Sequence, residues 1–349
     1  MARRPSTQIN LAAIANRLDI SVSTASRALR NAEGIHPETR RRVVAMAGEM
    51  GYVMSGLQGP DLQARPHQIL ALAKCVSPTS DQGYLSGLSR ASVAMNLAIL
   101  SHHVAAEECH HILDHDRQPV AMRAGMVEGV ILIHGWPLEI ATALAQRVPT
   151  VSIIHQYPDA LIDHVGIDDR VGVGDLVRHL VAGGHNKIGF YGFTTNLSWA
   201  RSRFAAYVES LMVHGLGFEK SRIVEVCPMS ALEHDEFPIP QEQRTRILKC
   251  LKQGVTAWVA ASSSAGTSLV RFLIESGKQI PQDVAVVSCH QNPYRNHNLP
   301  VITTFRLADE ELGASALRRL IHRLQNSGEN LRSILIPPVF CQGETTRPR

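Results

Sequence analysis

The chain has 349 residues, 44% of them hydrophobic, and a formal charge of +4, with a mean hydropathy near zero; this is the composition of a soluble globular protein long enough for two or more compact units. No segment approaches the roughly eighteen consecutive apolar residues of a membrane span, and the basic N-terminus runs into amphipathic helices rather than a signal core, so a cytoplasmic protein without membrane contact is expected. The six cysteines lie far apart with no Cys-x-x-Cys spacing, as expected of reduced thiols.

The stretch Asn10 to Leu29 predicts two short amphipathic helices joined by a tight turn. Leu11, Ile14, Ala15 and Leu18 make one apolar stripe, with Asn10 placed as N-cap. Asp19 occupies the turn, and Asp is among the few non-glycine residues that tolerate a left-handed backbone. Ser21 follows as a second N-cap; Ala25, Ala28 and Leu29 turn inward and leave Val22, Ser23, Thr24, Ser26 and Arg27 facing out, a small, hydroxylated and basic face that suits a DNA groove. A third helix is predicted over Pro37 to Met50, with Val43, Met46, Ala47 and Met50 inward and Gly51 as its C-terminal cap. Residues 1–66 hold nine arginines and no lysine against five acids, a net of +4, so the remaining chain, with 26 basic and 26 acidic groups, is neutral. The excess positive charge therefore sits where a polyanion would be held.

Beyond residue 67, short apolar runs alternate with helical patterns. Ile69 to Ala73, Val127 to Ile133, Thr150 to Ile154, Lys187 to Tyr191, Ala257 to Ala261 and Val284 to Val287 read as buried parallel strands of a doubly wound α/β core, in which ligands bind at the carboxyl ends of the strands. Between His102 and Asp116, His111 and His115 share a helical spacing with Cys109 and Glu108 nearby. No standard zinc spacing is met, so the segment reads as a polar surface loop and helix start after a strand, with no metal site. There is no Gly-x-Ser-x-Gly elbow and no Gly-x4-Gly-Lys phosphate loop, and the Gly172, Gly174 pair lacks the third glycine of a dinucleotide fingerprint. Neither an enzyme nor a bound cofactor is expected.

The string ISVSTASRAL followed by HPETRRRVVAMAGEMGY resembles the headpiece of the LacI/GalR family of transcriptional regulators. The resemblance continues through Val165 to Gly192, Ala200 to Tyr207, Val255 to Ser262, Ile280 to Ser288 and Leu299 to Phe305. It implies a helix-turn-helix DNA-binding domain over residues 1–55, a hinge or linker over 56–66, and a two-lobed periplasmic-binding-protein-like core over 67–349 that binds a small-molecule effector. In that core the chain would cross between lobes near Asp163, near Pro293 and near Ser327. On double-stranded operator DNA, the resemblance makes Val22, Ser23 and Arg27 readers of base edges and Ser21, Thr24 and Ser26 holders of the backbone; plain helix capping is the alternative for the hydroxyls. A homodimer on a palindromic site is expected, because isologous pairing of the core would place two headpieces on neighbouring half-sites.

Two regions depart from the family. Its hinge helix carries a leucine that wedges into the minor groove, whereas Ser55 to Pro66 here reads SGLQGPDLQARP. Pro60 cannot sit inside a helix that starts at Ser55, so either a shifted helix starts at Pro60 with Leu62 as the wedge, or the segment is a flexible linker. In the effector cleft, positions where the family places acids read Ile154, Ser263 and His290, while Arg203 matches the family's ligand-contacting arginine and Trp199 precedes it as a stacking surface. A guanidinium without carboxylates favours an anionic ligand such as a phosphosugar or sugar acid; a cleft that has lost ligand binding is the alternative. Two function classes result: a ligand-modulated DNA-binding regulator, or a small-molecule binding protein or enzyme on the same core with incidental DNA binding. A salt-dependent DNA shift assay separates them.

Overall fold

The computed structural model describes residues 11–29, 35–36, 38–40, 42–43, 46, 68–74, 81–226, 237–290 and 298–347. The chain divides into two compact units, Met1–Arg65 and Pro66–Arg349.

In the first unit, α1 (Leu11–Leu18) and α2 (Val22–Leu29) are each eight residues long. Asp19 adopts the left-handed conformation expected of it, with φ of 53°, and Ile20 N–H closes the turn on Ala15 O at 3.0 Å. Ile14, Ala15, Ala25, Ala28 and Val43 form a small core, flanked by Leu18, Ile20, Ile35 and Met46. Residues 38–40 and 42–43 are helical, within the third predicted helix. Asn10, Ala47, Met50, Gly51 and the linker with Leu62 lie outside the described residues.

The second unit holds two six-stranded sheets. In chain order its elements are β1 (Gln68–Lys74), α3 (Gln82–Met95), β2 (Ala98–Val104), α4 (Val120–Arg123), β3 (Gly129–Ile133), α5 (Leu138–Ala145), β4 (Thr150–Ile153) and β5 (Ile162–Ile167). There follow α6 (Asp169–Ala182), β6 (Ile188–Phe193), α7 (Ser198–Val213), β7 (Ile223–Glu225), α8 (Gln241–Lys252), β8 (Ala257–Ala260), α9 (Ser263–Glu275) and β9 (Ala285–Ser288). The last are β10 (Thr303–Arg306), α10 (Asp309–Gln325), β11 (Ser333–Ile336) and β12 (Val339–Cys341). The first sheet runs β11-β5-β4-β3-β1-β2 and the second β12-β10-β9-β8-β6-β7. Strand pairs are parallel throughout except β10 with β12. Helices cover both faces, which is why β3 and β4 are buried along their whole length, and β1 at all but its two ends.

Two of the three crossings fall later than expected. Strands β1 to β5 belong to the first lobe and β6 to β10 to the second, so the chain crosses after Ile167, close to the expected 163, and after Arg306 and between Ile336 and Val339, later than the expected 293 and 327. Asp163 sits inside β5, paired with Val151. Pro293 lies outside the described residues, but the strands on either side of it, β9 and β10, pair within one sheet. Ser327 follows α10, a helix that packs on β3, β4 and β5 and so already belongs to the first lobe.

Helices α3 and α10 pack against each other across that lobe through small residues. A Cβ on Gly87 would lie 1.9 Å from Glu310 O, and one on Gly313 would lie 2.1 Å from Tyr84 O. Backbone cannot yield as a flexible side chain can, so Gly87→Ala is expected to destabilise the core by about 3 kcal/mol. Chemical denaturation of the full chain measures this, and an unchanged midpoint would contradict the close approach.

Candidate functional site

The reading helix is built from its cap outward. Ser21 Oγ accepts the Thr24 backbone N–H at 3.0 Å, which satisfies one of the open donors at the start of α2. The same hydroxyl lies 2.8 Å from Ser23 Oγ and 2.7 Å from Thr24 Oγ1, so Ser21 serves the helix itself. Val22 is 46% exposed. Ser23 and Arg27 are exposed, whereas Thr24 and Ser26 are half-buried. The face thus presents one apolar side chain, small hydroxyls and a guanidinium on a rigid eight-residue helix whose opposite side is fixed by Ala25 and Ala28.

In the core, Arg203 lies against Trp199 and its charge reaches His290. Arg203, on α7, is buried, donates from Nε to Asp169 Oδ1 at 3.0 Å and from Nη1 to Ala261 O at 2.8 Å, and its guanidinium lies 4.9 Å from the Trp199 ring and 5.7 Å from Phe305. The reading of Arg203 as a cation without a carboxylate is corrected. Ile154, Ser263 and His290 bring no carboxylate, but Asp169, 34 positions upstream of Arg203, supplies the counter-charge. Burial raises the Asp169 pKa against the opposing effect of Arg203. Ser263 opens α9 behind the Ser262 cap. His290 lies past β9 with φ of 78°, and burial together with the Arg203 charge brings its pKa down to about 3.

Two cavities open on either side of Trp199. One, of about 440 Å³, lies beside the first crossing and is lined by His164, Asp168, Asp169, Arg170, Ser202 and Glu209 among others. The other, of about 520 Å³, spans the two lobes: Lys74, His134, Trp136, His155 and Tyr157 come from the ends of β1, β3 and β4, while Asn196, Leu197 and Trp199 come from the start of α7. Ile154 and Gln156 line both; Arg203, Ser263 and His290 line neither. Sequence reasoning missed Lys74, His134, Trp136 and Tyr157. The available signal was position, since each follows or ends a predicted strand at the edge where such folds bind ligands. His134 and Ile154 also have positive φ, 67° and 70°, a costly backbone for a branched residue and a frequent companion of binding sites. The Ser198 hydroxyl bridges the lobes, accepting the Gln156 N–H at 3.3 Å and lying 3.4 Å from His155 Nδ1.

The histidine-rich segment after β2 forms a 3-10 helix, Ala106–Leu113. Cys109 is buried in it, and His111 pairs with Asp114 at 3.0 Å. Among the described residues no group of three or more His, Cys, Asp or Glu is placed to hold a metal ion, and no helix is long and apolar enough to cross a membrane.

A helix-turn-helix unit followed by two parallel-sheet lobes defines the architecture, and comparison with known proteins identifies its family. Residues 10–55 match the family model of bacterial regulatory proteins, lacI family, and residues 177–346 match that of the periplasmic binding protein-like domain. The HTH-type transcriptional regulator CelR of Thermobifida fusca is 22% identical over 331 residues, covering 92% of each chain. The lac repressor dimer bound to operator and the anti-inducer ONPF superposes with a TM-score of 0.65 at 19% identity, covering 97% of this chain and 99% of that one. A CelR–cellobiose complex gives 0.64 at 21% identity over 98% and 100%. The chain belongs to the LacI family, whose members are transcription regulators rather than enzymes.

The buried histidines give the core a defined pH response. Burial is the largest cause that holds His134 and His155 down to about 4 and His290 to about 3, below the value of about 6.5 for an unfolded histidine. Over that window the unfolded chain binds more protons, so this stability is present above about pH 6.5 and lost as pH falls towards 4. Asp309, raised to about 6 by burial, and Asp169, also raised by burial, act in the opposite direction, but burial lowers His102, His164 and His185 as well, so the histidines outnumber the carboxylates. The melting temperature of the core is expected to fall between about pH 7 and 5. His134→Asn and His290→Asn, which keep a residue tolerant of positive φ, are expected to flatten the dependence, and an unaltered slope in both would contradict it.

Proposed function

We propose that this protein is a cytoplasmic repressor that binds a two-fold symmetric operator as a homodimer, with an affinity set by a small molecule held between the lobes of its core. The observation that carries the reading is α2: Ser21 caps it, Ala25 and Ala28 anchor it, and Val22, Ser23 and Arg27 stand exposed in the segment that holds the chain's whole excess of positive charge. Side chains at the N-terminal end of such a helix reach base edges in the major groove, and an arginine fork matches the O6 and N7 of guanine. Thr24 and Ser26 would take phosphate oxygens. The lac repressor is a dimer on its operator, and the same two-fold arrangement here would set two α2 helices on adjacent half-sites. The inter-lobe cavity beside Trp199 is the place for the effector, and the buried Arg203 acts there by fixing Trp199.

Selection of bound sequences from random DNA by the purified chain should return an inverted repeat. Arg27→Ala should then cost about 1 to 3 kcal/mol at that site and relax one position per half-site; equal loss on random DNA would make Arg27 a phosphate contact only. If the linker folds into a hinge helix on DNA, Leu62→Ala should weaken operator binding and reduce bending without altering the melting of the core. Wild-type affinity in that variant would favour a flexible linker.

A further inference from the structure

The 520 Å³ cavity between the lobes has a lining that discriminates between ligand classes. A polyhydroxylated ligand needs many hydrogen-bond acceptors, with carboxylates the most effective. Here no buried carboxylate lines the cavity, and its side-chain acceptors are the Gln156 and Asn196 amides and the imidazoles of His134 and His155. The Tyr157 hydroxyl accepts the Trp136 N–H at 2.7 Å and donates to Trp136 O at 3.1 Å, while Trp136 Nε1 donates to Ile133 O at 3.1 Å, so these two rings offer the cavity apolar faces alone. Pro137, Leu138, Ile154, Pro158 and Leu197 add further apolar wall. The single lining acid, Asp159, is exposed.

Lys74 supplies the opposite charge. It is half-buried at the end of β1, and among the described residues no carboxylate lies within ion-pair distance of its Nζ. Asp81, a buried acid whose charge reaches His134, sits 3.4 Å from His103 Nδ1. His134 and His155 face the same space and are uncharged at neutral pH: burial is the main cause for both, with the Lys74 charge adding to it, and at His134 burial outweighs the opposing charge of Asp81. The cavity therefore combines one ammonium group, neutral imidazoles and three aromatic rings.

We propose that this cavity binds a small carboxylic acid with a flat apolar body, its carboxylate on Lys74 and its body against Trp136, Tyr157 and Trp199. The proposal takes from the proposed function only that the cleft holds a ligand. A volume of about 520 Å³ falls within the range of small-molecule sites. A carboxylate paired with Lys74 would gain a charge-assisted hydrogen bond in a partly dry site, and the rings would contribute by area rather than by hydrogen bonds.

Calorimetry and thermal shift on the full chain test it, with benzoate, phenylacetate and indole-3-carboxylate as probes and benzamide and D-glucose as uncharged comparisons. At least one acid should bind and raise the melting temperature, whereas benzamide and D-glucose should not. Lys74→Gln should weaken the acid about ten- to hundredfold, Lys74→Arg should retain most of its binding, and Lys249→Gln on an exposed face of α8 should leave it unchanged. Lys74→Glu should exchange the preference for benzylammonium. The proposal is overturned if none of the acids binds at millimolar concentration, if benzamide or D-glucose stabilises the protein as well as the acids do, or if Lys74→Gln, folded by its own melting curve, binds as wild type. Operator binding measured separately by fluorescence anisotropy keeps the two readings apart. A chain that binds an acid but no DNA refutes the regulator reading and supports this one, and a chain that binds its operator but no acid overturns this one alone.

Discussion

The buried ion pair of Arg203 with Asp169 is the interaction around which the core is arranged. Their side chains are 5% and 9% exposed, and a charge at that depth is tolerated only when paired and hydrogen-bonded. Asp169 is the first residue of α6, directly after the first crossing, and Ala261, the second partner of Arg203, ends the run that contains β8. Phe305, under the same guanidinium, lies in β10 just ahead of the second crossing. One side chain thus touches the elements that carry the chain between lobes. Removing either partner would leave a buried charge unanswered, a loss of about 3 to 5 kcal/mol by comparison with buried pairs in general. The pair also holds Trp199 in its place between the two cavities, so the position of the cleft wall follows from the electrostatics behind it.

A second charged cluster lies in the first lobe. Asp163, fully buried in β5, accepts from Arg319 Nη2 at 3.1 Å, from Arg323 Nε at 2.7 Å and Nη2 at 3.0 Å, and from the Arg332 N–H at 2.6 Å. Burial alone would raise its pKa, but these four bonds outweigh that and hold it below the usual carboxylate range. The cluster joins α10 to β5 and to the approach to β11, the segment that leads the chain into its last crossing.

Legibility in the sequence followed burial. The strands β1, β3, β4, β6, β8 and β9 stood out because both of their faces are covered, which leaves continuous apolar runs. The edge strand β2, with alternating exposure and two histidines, did not, nor did β5, whose Asp163 and His164 look polar in sequence although they are buried and bonded. Short β7, β11 and β12 carry too few residues to show a period. This explains the misplaced crossings, because a boundary between lobes cannot be read where the strands beside it are unrecognised. In the headpiece, local chemistry sufficed: an Asp in the left-handed turn and a Ser cap each act within four residues of themselves.

The cleft was harder to read because its residues share space rather than sequence. Arg203 was visible by motif, but its carboxylate partner lay 34 positions away at the start of another helix, and without that partner the guanidinium looked available to a ligand. Lys74, Trp136 and Tyr157 belong to three different strand ends. What brings them together is the parallel order β4-β3-β1, which sets the carboxyl ends of all three strands on one edge facing α7. A ligand held there would touch both lobes at once, and it would shift their balance only by the difference in its affinity for two lobe arrangements. Trp199 is held from behind by Arg203, the lobes are bridged at Ser198 to Gln156 and His155, and His134 and Ile154 on the first-lobe side carry positive φ.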